Sequence, residues 1–363
     1  MRWRDFAMVL AGEATIYLPL SLFPAPDIRI FLSPWLQQIR ETGLSVPFGN
    51  YSPPYLYLMT LASPLPDLVA IKLLSIIGVG WLAFCAARLA KTLGWEPYAL
   101  AASTIALPTV ILNAPVLGQC DTFWVGCCLL AVSEAQENKP QRMALWAGVG
   151  FAFKAQAAFI SPFCLCFVLR KRAWAALIIP FAVYAFAIVP ALLAGWPSYD
   201  LFTTYFHQAR VQFAGNAPNL WAVVPFRPMG YALPVAAAAW IASDRKRDPL
   251  GLALLSAILM PFLMPKMHER YFLLADVLSL VIAYGRRDWS SITVAVLIQT
   301  GSTLSILAYL VGLPELNTLA SVPIGIALVA VVLDRGQWCT QTLASGPIVR
   351  ASFVEQDENC RFD

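Results

Sequence analysis

The stretch from Phe262 to Leu274, FLMPKMHERYFLL, places Lys266, His268, Glu269 and Arg270 inside an apolar run. A further cation, Lys154, stands in FAFKAQAAF; a carboxylate, Asp121, stands in GQCDTFW; and Asp27 follows the first apolar segment. A Lys or Arg at the centre of a membrane span costs about 2.5–3.5 kcal/mol on insertion scales, so each such cation needs a partner. Phosphate is one: Lys meets it as a point charge, Arg as a bidentate fork. A carboxylate beside such a site can take a proton from a hydroxyl as general base. The same residues have structural readings. Lys266 can pair with Glu269, Lys154 can snorkel to the interface, and Asp27 and Asp121 can cap the helices that follow them. Residue type and spacing leave both sets open.

The elements that must position these groups are membrane spans. Of 363 residues, 59% are hydrophobic and 13% charged, with a mean hydropathy of +0.66. Soluble domains carry about 25% charged residues. Apolar segments fall at about 6–23, 67–90, 97–112, 122–135, 143–153, 157–169, 173–194, 229–243, 250–264, 271–285, 290–312 and 318–333. The expectation is an all-α, polytopic transmembrane helical bundle of about twelve spans, several short or broken, since a span needs about 20 apolar residues. The short segments meet at polar turns, which at membrane depth are tolerated only against protein or a wet cavity. The N-terminus resembles a signal peptide, with Arg2 and Arg4 ahead of an apolar stretch, but without a convincing cleavage site it reads as an uncleaved first span containing Glu13.

Orientation follows from the basic residues. With the N-terminus inside, 17 of the 25 Lys and Arg fall in cytoplasmic segments, including both RKR runs at 170–172 and 245–247. The eight left on the outer side are Arg29, Arg40, Lys72, Lys154, Arg210, Arg227, Lys266 and Arg270. Both termini are therefore expected in the cytoplasm and the polar turns outside. Two outer loops are long, 24–66 and 195–228. In the first, Ile28, Phe31, Trp35 and Ile39 recur at helical spacing, which predicts an amphipathic helix in the membrane interface. Residues 1–335 read as one transmembrane domain, and 336–363 as a polar cytoplasmic tail expected to be disordered.

Several classes are disfavoured. The net charge of +4 is spread over short loops, so nucleic acid is not an expected partner. The eight cysteines lie mostly in apolar runs without metal-ligand spacing and read as small packing residues. His207 and His268 are the only histidines, and no HExxH, G-x-S-x-G or phosphate-cradling glycine loop is present. No dedicated metal site is expected; a divalent cation would have to sit between Asp27 and Asp121, if they converge. Gln119 can hydrogen-bond sugar hydroxyls, and Trp35, Tyr51, Tyr55, Trp124 and Tyr271 suit either sugar stacking or an interfacial aromatic belt.

Taken together, MPKMHERYFLLADVLSL, LGQCDTFWVGCCLLAV, GVGFAFKAQAAFISPF, NAPNLW and APDIRIFLSPWLQQIRETG followed by NYSPPYLYL resemble bacterial integral-membrane glycosyltransferases of the GT-C superfamily. The nearest branch is the one related to the mannosyltransferases of glycosylphosphatidylinositol assembly. The resemblance runs from about Asp27 to Ala283. It implies transfer of a hexose, mannose-like, from a polyprenyl-phosphate-linked donor to a lipid or glycan acceptor at the outer face of the cytoplasmic membrane. It implies an essential acid in the first outer loop, matched by Asp27. The glutamine–aspartate pair of the second block falls on Gln119 and Asp121, and the lysine and glutamine of the third on Lys154 and Gln156. Two positions depart from the pattern: Cys120 stands where relatives often carry an aromatic residue, and YSPP where many read Tyr-Pro-Pro.

The expected mechanism has the donor phosphate meet Lys266, Arg270 and Lys154, and Asp27 deprotonate or orient the acceptor hydroxyl for inverting attack. Gln119, Asp121, Gln156, His268, Glu269, Tyr271, Asn216, Asn219, Trp35 and Tyr51 are the expected sugar or acceptor contacts. The rival class is a transporter or lipid flippase, which predicts pseudo-symmetric halves and polar residues accessible from both sides; a transferase-like assembly partner without activity is a third. The polar anomalies face one side, and the sequence shows no internal repeat.

Overall fold

The computed structural model describes residues 3–45, 49, 51–208, 216–224 and 230–334. Every regular element among them is helical. The tail beyond Asp334 and the cations Arg210 and Arg227 lie outside the described residues. Proline sets much of the punctuation. It stands at the first or second position of the helices Ser33–Thr42, Pro53–Ala62, Pro97–Ile105, Pro140–Phe153, Ser161–Lys171 and Pro249–Leu263. There its missing N–H costs nothing and its φ suits a helix start.

Asp67–Thr92, Trp174–Leu193, Trp289–Val311 and Leu316–Leu333 are each long and apolar enough to cross a membrane alone. Pro97–Ile105 and Pro108–Val116 form a broken pair bent by 55°. The first apolar segment lies in the 19-residue helix Trp3–Ser21, and the others form shorter helices.

The helix Asp121–Gln136 is buried along almost its whole length. Such a helix, hydrophobic all round, belongs in the interior. It packs against Asp67–Thr92 and Pro140–Phe153 through small residues. A methyl group at Gly126 would collide with the Trp81 indole, and one at Gly78 with Thr122. The six described cysteines are free, and all but the half-buried Cys164 are buried.

Alternation of the chain through these helices gives the bundle two unlike ends. At one, ion pairs and carbonyl contacts tie the basic loops together: Arg88 and Lys139 to Glu137, Arg170 to the Asp244 and Arg247 carbonyls at 2.8 Å, and Arg286 to Asp288 at 2.6 Å and Asp334 at 3.2 Å. At the other end lie the turns around Asp27, Tyr51, Gln119, Lys154 and Arg270.

Two expectations need correction. The stripe predicted at Ile28, Phe31, Trp35 and Ile39 is instead Ile28, Leu32, Leu36 and Ile39, with Phe31 exposed and Trp35 half-buried. The cause is a π-helical turn over Ile28–Leu32, whose wider turn shifts the register before Ser33–Thr42 begins. Nor do all the outer-side cations await an anion. Lys72, buried inside Asp67–Thr92, donates to the Pro115 and Val116 carbonyls at 2.5 and 2.8 Å. Arg40 holds Asp67 at 2.5 Å and the Ser63 and Leu65 carbonyls at 2.8 and 2.7 Å. Backbone carbonyls and a local carboxylate satisfy these two.

Candidate active site

The broken pair delivers the first part of the site. After Pro108–Ile111 the chain makes a π-helical turn over Leu112–Val116, with Pro115 inside it, and then a left-handed residue at Gly118, φ +69°. A Cβ there would lie 3.0 Å from both Ile28 and Ile71 side chains, so only glycine lets the turn close against them. The turn presents Gln119 and starts the helix at Asp121.

Asp121 takes four contacts, none of them a cap. Its Oδ1 accepts from Trp124 Nε1 at 2.8 Å and Lys154 Nζ at 2.7 Å. Its Oδ2 accepts from Asn113 Nδ2 at 3.1 Å and lies 3.5 Å from Arg270 Nε. Asp27, 5% exposed, makes no cap bond either. Its Oδ2 accepts from Gln119 Nε2 at 2.6 Å and lies 3.3 Å from Arg270 Nη1, and its Oδ1 accepts from the Tyr309 hydroxyl. Gln119 in turn accepts from the Tyr51 hydroxyl at 3.0 Å. The capping alternatives for both carboxylates are thus not realised.

Lys154 does not snorkel. It is an extended residue between Pro140–Phe153 and the 3₁₀ turn Ala155–Ile160, 3% exposed, with its ammonium 4.8 Å from the Tyr51 ring centre and 5.6 Å from that of Tyr271. Arg270 lies 5.9 Å from the same Tyr271 ring. Both cations thus have aromatic faces beside them as well as carboxylates.

The turn over 264–272 is anchored from outside by NAPNLW. Asn219 Nδ2 donates to the Met264 carbonyl at 3.0 Å, and Trp221 Nε1 to that of Leu263 at 2.7 Å. Asn219 Oδ1 meanwhile accepts from the Trp221 N–H at 3.1 Å. The Asn219 side chain, expected among the sugar contacts, is therefore committed to holding the turn. Asn216 is tied through its carbonyl to Ser305 Oγ at 3.1 Å. Within the turn, buried Glu269 bonds Arg270, not Lys266, and leaves Oε2 without a hydrogen bond among the described residues. His268 Nδ1 lies 3.7 Å from that oxygen, with the His268 side chain 44% exposed. Lys266 is half-buried, takes a left-handed φ of +58°, and has no ion pair among the described residues. Gln156, half-buried, has no hydrogen bond among them either.

Arg270 is therefore the hub. It contacts Asp27, Asp121 and Glu269, which come from the first loop, the start of Asp121–Gln136 and its own turn. Asp27 and Asp121 do converge, but a guanidinium stands between them. Among the described residues no three His, Cys, Asp or Glu groups are placed to hold a metal ion. Trp35 meets Tyr51 edge-on, ring centres 5.1 Å apart, and Tyr51 meets Tyr55 at 5.8 Å, giving an aromatic flank to the Gln119 side. Sequence reasoning missed Tyr309, Asn113 and the bond from Trp124. A tyrosine near the end of an apolar span reads as an ordinary belt residue, and no local spacing links it to a carboxylate 282 positions earlier.

The helical bundle has a solved counterpart in fold. The chain is similar to ArnT from Cupriavidus metallidurans, crystallised bound to undecaprenyl phosphate, at a TM-score of 0.56 and 13% identity, over 92% of this chain and 76% of that one. That likeness is one of fold. Residues 48–281, more than half of the chain, match the sequence model of glycosyltransferase family 87, and the chain belongs to that family. No curated protein matches it. Asp27 and Tyr309 fall outside the matched stretch; Gln119, Asp121, Lys154 and Arg270 fall within it.

Proposed function

We propose that this glycosyltransferase moves a hexose, mannose-like, from a polyprenyl-phosphate donor to a hydroxyl of a lipid or glycan acceptor, inverting the anomeric carbon. The observation that carries this reading is the meeting of Asp27, from the first long loop, with the 264–272 turn, at 3.3 Å from Arg270. The arginine-rich loops at the opposite end support a cytoplasmic-membrane enzyme with its site facing away from the cytoplasm.

In the proposed step the acceptor oxygen attacks the anomeric carbon as Asp27 takes its proton. The bond from that carbon to the phosphate oxygen breaks, and its electron pair leaves with the lipid phosphate. Phosphate leaves readily once its charge is met, so cations matter more here than a general acid. The geometry divides the cations. Arg270 and Lys154 are occupied by Asp27, Asp121 and Glu269, and their work is to fix the carboxylates. Lys266, without a carboxylate among the described residues, and half-exposed His268 beside it, are the groups left to meet the donor phosphate.

The test is incubation of the purified protein with a panel of polyprenyl-phosphate sugars, scoring lipid phosphate released and product formed. Asp27→Asn should lower kcat by about 10²–10⁴-fold. Lys266→Ala should act mainly on the KM for the donor. Full transferase activity in both variants, properly inserted, defeats the reading.

A further inference from the structure

We propose that Tyr309 is a positioning residue for the Asp27 carboxylate; this rests on the reading of Asp27 as the base. Gln119 and Arg270 both address Oδ2, which leaves the carboxylate free to turn about its Cβ–Cγ bond and offer either oxygen to them. The Tyr309 hydroxyl, on Oδ1, removes that freedom. Three donors from three different elements then fix the plane of one carboxylate that is itself 5% exposed.

The helix that supplies Tyr309 is anchored where it needs to be. Trp289–Val311 places Ile306 and Tyr309, one turn apart, in the apolar cluster that contains Ile28 and Leu32, the residues flanking Asp27's own turn. Ser305, next to Ile306 in the chain, bonds Asn317 Oδ1 at 2.5 Å, which ties the helix to Leu316–Leu333. Residue type fits the task as well. An amide N–H and a guanidinium can only donate, whereas a phenol donates to a carboxylate and accepts from a carboxylic acid. Tyr309 can therefore stay bonded to Asp27 before and after the proton arrives.

The experiment compares wild type with Tyr309→Phe, which removes only the hydroxyl. The expected result is a fall in kcat of about ten- to a hundredfold, the usual scale for a lost hydrogen bond to a charged group, with the donor KM within about twofold. The other groups facing Asp27 are unchanged in this variant: Arg270 and Glu269 from the 264–272 turn, Asp121 across Arg270, and Gln119 with Tyr51 behind it. A structural role alone would lower the melting temperature without this split between kcat and KM. Tyr309→Gln, which restores a donor, should recover part of the rate. Wild-type kcat in Tyr309→Phe, with Asp27→Asn inactive, overturns this inference alone; an active Asp27→Asn overturns the reading beneath it.

Discussion

The Lys154–Asp121 pair offers the sharpest test of how the site is held. Lys154 Nζ lies 2.7 Å from Asp121 Oδ1, with side-chain exposures of 3% and 0%. At an effective dielectric constant near 20 the attraction is about 6 kcal/mol. Burying the two charges costs several kcal/mol each, so the pair adds little net stability, yet breaking it from one side is expensive. Lys154→Met leaves Asp121 with the Trp124 and Asn113 donors and with Arg270 at 3.5 Å, which limits the loss to about 3 kcal/mol. Asp121→Asn keeps an acceptor oxygen for Lys154, and the ammonium keeps the Tyr51 and Tyr271 faces at 4.8 and 5.6 Å, so about 2 kcal/mol is expected. The double variant buries neither charge, and its loss should be about 3 kcal/mol, short of the sum by about 2. Thermal unfolding in detergent reads this out. At about 2 °C per kcal/mol for a chain of this size, the singles should melt about 6 and 4 °C low, and the double about 6 °C low. A double variant about 10 °C low, additive to within about 0.5 kcal/mol, refutes the coupling and with it the placement of Lys154.

Two further outcomes follow from local geometry. Gly118→Ala should cost about 2–3 kcal/mol, combining the left-handed backbone with crowding of Ile28 and Ile71 at 3.0 Å, and should depress activity by displacing Gln119 and Asp121. Gly312→Ala, left-handed at φ +71° in open space, should cost about 1 kcal/mol and spare activity, so equal effects of the two in melting and turnover would refute the account. At the opposite end, hydrogen bonds from Lys139 and Arg88 hold the Glu137 carboxyl down at about 2, against an ordinary 4.5. A depressed carboxyl stabilises the fold above its unfolded value and loses that contribution as pH falls toward the folded one. The melting difference between wild type and Glu137→Gln should therefore be steady above about pH 5 and shrink between 4.5 and 2; a difference independent of pH refutes it.

The sequence carries the bundle and the chemical character of the site, because both are written in polarity. A lysine in FAFKAQAAF and an arginine in KMHERYF are anomalous in an apolar run, and the structure sets both against buried carboxylates. What polarity cannot show is which partner satisfies a charge. Lys72 looks as anomalous as Lys154, yet its partners are backbone carbonyls released at the Pro115 turn, which no side-chain pattern records. Asp27 reads as a cap or a base until Gln119, Tyr309 and Arg270 are seen around it. The face of the first-loop helix is misread by one register step, since a π-helical turn has no signature in hydrophobic spacing. Asn219 has the residue type of a sugar contact, but it spends its donors on the carbonyls of Pro261 and Met264.

The bend between Pro97–Ile105 and Pro108–Val116 has a bearing on how substrate enters. A kinked helix is often a hinge, but here the ammonium of Lys72 grips the carbonyls at the far end of the second half, and Gly118 seats the turn after it against two isoleucines. The segment bearing Gln119 and Asp121 thus behaves as scaffold rather than gate. Under the proposed reaction a lipid-borne sugar would meet an already assembled half-site, one that requires no rearrangement of its dipoles during the reaction. Whatever yields to admit the lipid must be sought among the neighbouring elements, and stiffening the kink further should leave turnover untouched.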